Sequence, residues 1–229
     1  MPSWLPDPAR VNAENPANVS RAALVTVTLF ALIVLAPVTA HRELGLNVLG
    51  SAALVSLVVL AGRTRRALVI ALLIGVPALL LRWFVPDDAT GPLRVIHWFF
   101  TFTLEIYVLA MMVRHIFTTD HVGPVTLLMS VNAYMMVGLV WSGAFILVEA
   151  YVPGSFNGLA ENRLDAVIDL YYFSFVTLTT LGYGDISPAA PLARSLVLAE
   201  VLCGVMFTAV IVARLISLYR EPATGSDED

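Results

Sequence analysis

Tyr171-Tyr172-Phe173-Ser174-Phe175-Val176-Thr177-Leu178-Thr179-Thr180-Leu181-Gly182-Tyr183-Gly184-Asp185 is the stretch on which the reading of this 229-residue chain turns. Residues 165–179 are apolar and aromatic, long enough for a short helix but too short to cross ~30 Å of hydrocarbon. The residues that follow are poor helix material, because two glycines bracket a tyrosine. Irregular backbone at membrane depth is tolerated only where protein or water surrounds it. A helix over 165–179 that enters the membrane and stops partway resolves this. It aims its carbonyl end, about −0.5 charge, toward the centre and favours a cation there.

The glycine spacing sharpens the reading. To point successive carbonyls at one axis, a strand must alternate between right- and left-handed backbone, and glycine takes the left-handed positions without penalty. Gly182 and Gly184 fit that need. Rings of such carbonyls replace the water that a K⁺ ion sheds. Thr180 adds a hydroxyl ring at the inner end, and Tyr183 points away from the axis to brace against neighbouring aromatics. A plain Gly-Tyr-Gly turn is the competing reading. The Thr-rich aromatic helix before it and the crossings on both sides argue against it.

Outward from this stretch the chain is apolar. Hydrophobic residues make up 59% and charged residues 13%, with a mean hydropathy of +0.83, where soluble domains carry about 25% charged residues. Six long apolar segments fall at 22–40, 46–61, 67–85, 93–117, 125–151 and 191–219. Residues 153–162 read as a loop with two glycines and a proline. Arginine placement orients the crossings. The cluster Arg63, Arg65 and Arg66 is assigned to the cytoplasm, which puts both termini inside with Arg10, Arg21, Arg114 and Arg220. Residues 86–91 and 153–162 then lie outside, with Arg42, Arg163 and Arg194 against the rule.

Several functions are disfavoured. The net charge is −4, and no basic footprint for nucleic acid exists. All thirteen basic residues are arginine, which is read as genome bias. The lone Cys203 forms no intrachain disulfide and reads as a packing residue. The polar, proline-rich first twenty residues lack a signal-peptide pattern, and the sequon at Asn18 falls inside. His97, His115 and His121 have no ligand spacing. No nucleophile–base set is present, so an enzyme and an organic cofactor are not expected.

Thr-Thr-Leu-Gly-Tyr-Gly-Asp at 179–185 resembles the potassium-channel signature sequence. Residues 172–180 before it resemble the pore helix of two-pore-domain potassium channels and of prokaryotic one-pore channels. The likeness covers about 125–219. It implies an all-α membrane protein with six transmembrane helices, a re-entrant pore helix and a selectivity filter. It also implies passive, selective K⁺ conduction in the cell membrane. Thr180, Leu181, Gly182, Tyr183 and Gly184 then supply the carbonyls, with K⁺ at Thr180, Leu181, Gly182 and Tyr183. One filter strand gives a quarter of each ring, so a homotetramer is expected. Leu181 replaces the commoner valine or isoleucine with its carbonyl unchanged. Val176 falls where some bacterial channels carry a glutamate, so an acid pair with Asp185 is missing. Tyr172 falls where many have tryptophan and is expected to hydrogen-bond Asp185. Thr177, Thr179 and Glu200 join these two as filter support.

Gly204 lies nineteen residues after Asp185, where related channels carry a hinge glycine. Close helix packing explains it equally well. By the same resemblance Val205, Thr208 and Val212 face a central cavity with a gate. The organisation expected is a cytoplasmic segment at 1–20, a four-helix transmembrane domain at 21–123, a pore domain at 124–220 and an acidic tail at 221–229. The fourth segment holds Arg94 and Arg114 near its ends with Glu105 between, and no arginine ladder, so steep voltage gating is not expected. Glu105 and Glu200 at membrane depth are functional candidates or protonated structural groups. Glu149 reads as interfacial, and Trp83, Trp98 and Trp141 as interfacial or packing residues. With no ligand-binding domain in the tail, a gating ligand is expected to act on the membrane part or through a separate regulatory subunit. The alternatives are a weakly selective cation channel and a membrane receptor or scaffold with a vestigial pore. A secondary transporter is disfavoured, because one pore loop is found and internal repeats are not evident.

Overall fold

A computed structural model describes residues 15–39, 43–62, 64–85, 92–120 and 122–218. The expectations attached to Arg10, Arg42, Arg63, His121, Arg220, the 86–91 loop and the 221–229 tail lie outside the described residues. The helices are α1 (Pro16–Thr39), α2 (Glu43–Ala61), α3 (Arg65–Phe84), α4 (Pro92–Thr118), α5 (Pro124–Tyr151), α6 (Arg163–Leu178) and α7 (Pro191–Leu218). All except α6 are long and apolar enough to cross a membrane. The chain is an all-α, multi-pass membrane protein.

Most of the helices begin earlier than the apolar pattern predicts, because polar residues and prolines start them. Pro16, Pro92, Pro124 and Pro191 open α1, α4, α5 and α7, where a missing N–H costs nothing. Asn15 Oδ1 accepts the Ala17 N–H at 3.0 Å, which carries α1 six residues beyond its apolar run. Thr64 Oγ1 accepts the Ala67 N–H at 3.2 Å and caps α3.

Lipid tails are as apolar as leucine, so close approach and polar bonds decide how membrane helices pair. The hub is α5, which packs on α1, α4, α6 and α7. Buried Asn132 Nδ2 donates to the Ala22 carbonyl at 3.0 Å and joins α5 to α1. Arg82 donates from Nη2 to Leu46 O at 2.6 Å and from Nε to Asn47 O at 3.2 Å, joining α3 to α2. Arg214 Nη2 donates to Thr119 O at 2.9 Å and Phe117 O at 3.3 Å. A cation at the carbonyl end of α4 is favoured by the helix dipole.

The 153–162 region is not a plain loop. Phe156–Asn157 (β1) pairs antiparallel with Ser187–Pro188 (β2), with Phe156 opposite Pro188 and Asn157 opposite Ser187. A two-residue ladder is too short for any alternation to show in sequence. It closes around Phe145, Phe156 and Phe173, whose ring centroids lie 5.4 to 5.5 Å apart. Each such pair is worth about 0.5–1.5 kcal/mol beyond burial.

Candidate functional site

The site starts with the short helix α6. Asn162 Oδ1 accepts the Leu164 N–H at 3.1 Å, and Asp165 sits in the first turn. Both suit the positive end of the dipole. At the other end the helix unwinds in steps. Thr180 N donates to Thr177 O at 2.9 Å, and Leu181 and Gly182 N donate to Val176 O at 3.0 and 3.3 Å. The backbone then becomes left-handed at every second residue: φ is +60° at Thr180, +57° at Gly182 and +80° at Gly184. Thr180 was not foreseen in this role. A β-branched residue at positive φ is a true outlier that the surroundings must hold in place, and the Thr177 bond contributes here.

Beyond the strand, Tyr172 Oη donates to Asp185 Oδ2 at 2.8 Å. This bond raises the phenol above its ordinary value, so the donor keeps its proton throughout the neutral range. The outer loop clasps the same point: Gly158 has φ +85°, and a Cβ there would collide with the Asp185 carbonyl. Glu149, read as interfacial, organises this loop by accepting the Gly154 N–H at 2.7 Å and the Phe156 N–H at 3.2 Å. Arg194 Nε donates to Pro188 O at 3.2 Å and ties the start of α7 to it.

The family model described as an ion channel matches residues 134–221, which enclose all of these features. The inward rectifier potassium channel Kirbac3.1 of Paramagnetospirillum magnetotacticum is 29% identical over 106 residues, covering 44% of this chain and 32% of that protein. Two pore potassium channel c of Oryza sativa subsp. japonica is 35% identical over 85 residues, 37% of this chain and 17% of that protein. A voltage-gated potassium channel of Aeropyrum pernix is 27% identical over 97 residues, 42% of this chain and 30% of that protein. Residues 134–221 thus resemble an ion-channel domain, and the three relatives are each named as potassium channels. The match spans a third or less of the length of these three relatives.

Within the matched segment, α7 runs unbroken through Gly204. Gly204 is buried, and a Cβ there would lie 2.6 Å from Leu178 Cδ1 and 2.9 Å from Leu178 O. Val205, Thr208 and Val212 are exposed on the protomer, and Thr208 Oγ1 donates to Gly204 O at 3.0 Å. Thr177 is buried, while Thr179 is exposed and donates its hydroxyl to Phe175 O at 2.7 Å. Glu200 is fully buried and meets Ser174 of its own chain, Oε1 to Oγ 2.5 Å. Ser174 was missed. Its signal was a small hydroxyl on a face shared with Leu170, Tyr171, Thr177 and Leu178.

Residues 134–221 also pack on α1 and α4. Glu105 of α4 is buried, beside Gly143 of α5 and within electrostatic reach of Arg82 and Tyr171. A cavity of about 350 Å³ lies among α1, α2, α3, α4, α5 and α6, with Arg82, Glu105 and Thr101 among the residues that line it.

Proposed function

We propose that this chain is one of four identical subunits of a passive, K⁺-selective channel, with K⁺ dehydrated by the carbonyls of Thr180, Leu181, Gly182, Tyr183 and Gly184. The observation that carries the reading is the left-handed backbone at 180, 182 and 184. A chain that alternates hand residue by residue turns its carbonyls to one side. The dipole of α6 ends at the same place and favours a cation.

Assembly as a homotetramer is supported by what the single chain leaves open. Tyr183 is 67% exposed and Leu181 56% exposed, although a filter needs protein around it at membrane depth. Large apolar residues of α7, among them Leu202, Val205 and Met206, are also uncovered. Further copies would cover both. Val205, Thr208 and Val212 then line the cavity below the filter. Tyr172, Thr177, Thr179, Asp185 and Glu200 act as filter support.

In this reading residues 21–123 form a four-helix domain around a pore domain at 124–220. Arg65, Arg66, Arg114 and Arg214 mark the cytoplasmic side, and both termini lie there. Steep voltage gating is not part of the reading. One charge crossing the field is worth ~2.3 kcal/mol per 100 mV, so several are needed, and α4 carries Glu105 alone at mid-depth.

The test is ion flux from liposomes holding the purified chain. K⁺ and Rb⁺ are expected to pass and Na⁺ to be refused. Equal Na⁺ flux would make it a weakly selective cation channel, and K⁺ binding without flux would leave a vestigial pore. The Tyr172–Asp185 bond carries its own expectation. Tyr172→Phe removes the donor while keeping the ring, so K⁺ current in planar bilayers should inactivate several-fold faster. An unchanged time course would remove Tyr172 from the filter's support.

A further inference from the structure

Behind the filter, hydrogen counting constrains a buried acid. Ser174 Oγ on α6 lies 2.8 Å from the Gly138 carbonyl of α5 and 2.5 Å from Glu200 Oε1 of α7. A serine hydroxyl has one proton to donate. If Glu200 were ionised, both neighbours would be bare acceptors, and one of the two short contacts would be lone pair against lone pair. A protonated Glu200 gives each contact a hydrogen: Glu200 donates to Ser174, and Ser174 donates to Gly138 O. Burial agrees. Glu200 and Ser174 are both 0% exposed, and Glu200 Oε2 has no hydrogen-bond partner. A carboxylate there would be a buried charge with a single neutral donor, which is costly.

We propose that Glu200 is a neutral, hydrogen-donating carboxylic acid that clamps the pore helix between α5 and α7, and that loss of its proton opens the clamp. This rests on the channel reading above. Glu200 is a positioning residue. It acts on the filter through Ser174, one turn before Leu178, and α7 touches Leu178 again at Gly204. Ionised Glu200 needs water or a cation that this packing does not supply, so alkaline conditions favour a state in which α7 has left α6.

The groups facing Glu200 leave few other sources of pH dependence. From α5, Tyr134 is within electrostatic reach. The contact from α6 is the uncharged Ser174 hydroxyl. Along α7, residues 196–204 carry no other charge, and the Cys203 thiol is exposed. Arg194 is engaged with Pro188, and Tyr171 lies beside Glu105 and Arg82.

Two measurements on the purified, reconstituted full chain test the clamp. Infrared spectroscopy at neutral pH should show a protonated carboxyl band that Glu200→Gln removes and Ser174→Ala shifts. This readout needs no conduction, so it stands apart from failure of the channel reading. In liposomes, wild-type K⁺ flux should fall as pH rises through the alkaline range. Glu200→Gln, whose amide can still donate to Ser174, should keep neutral-pH flux within about twofold and flatten the profile. Tyr134→Phe should leave the alkaline fall in place. Absence of a band sensitive to Glu200→Gln, or pH profiles that coincide for wild type and Glu200→Gln, overturns the proposal. Should Glu200→Gln not fold, a wild-type band that Ser174→Ala leaves unmoved does the same.

Discussion

Gly182→Ala should abolish K⁺-selective flux in liposomes. Gly182 sits at φ +57°, and no atom lies within 4 Å of where a Cβ would stand. The side chain would therefore clash with nothing in its own chain, and the penalty is in the backbone. An L-residue in the left-handed region costs about 1–2 kcal/mol. In the proposed four-fold pore each subunit would bear it at once, roughly 4–8 kcal/mol in all. That is a loss of about three or more orders of magnitude in the conducting population. Thr180 already carries the same kind of strain one ring below, so there is little slack. The check is Rb⁺ uptake against Na⁺ uptake, with thermal unfolding in detergent to show that the six crossings remain. Selective flux at the wild-type rate would mean that the alternation at 180, 182 and 184 is not what orders the carbonyls.

Gly204→Ala separates two roles that sequence left open. If Gly204 were a free hinge, alanine would stiffen α7 and stabilise the helix by ~1 kcal/mol. The geometry predicts the opposite sign. The added methyl meets Leu178 Cδ1 at 2.6 Å and Leu178 O at 2.9 Å. The Leu178 side chain can swing aside, but its carbonyl belongs to the last turn of the pore helix and cannot. Overpacking of this kind costs about 1–3 kcal/mol. It is expected as a lower melting temperature together with weaker K⁺ flux, because the displaced turn feeds directly into Thr180. A variant that melts higher than wild type would return Gly204 to the hinge role.

Gly204 marks the boundary between local and tertiary information. The residue type and its spacing from Asp185 were visible, but the atom it packs against was not. The same holds for Glu200. Its depth in an apolar helix was plain, while Ser174 as its partner needed α6 and α7 in contact. Glu105 stood in the sequence as a carboxylate without an identified neighbour, and Arg82 came near it only when α3 packed beside α4. Glu149 reads as interfacial in sequence because the N–H groups that donate to it, those of Gly154 and Phe156, lie in a turn whose form depends on the β1–β2 ladder. The left-handed Thr180 was also hidden, since nothing in a threonine announces positive φ.

Length, hydropathy and glycine spacing set the six crossings, the short re-entrant helix and the strand after it. These depend on local quantities: the thickness of the bilayer, the rise of a helix and the φ values open to each residue. Tertiary structure decided which helix faces met, and with them the Gly138–Ser174–Glu200 chain and the Arg82 contacts. In lipid no general apolar attraction selects one helix face over another. Partners are chosen by shape and by single polar bonds between residues far apart in the chain, and those appear only when the helices are in place.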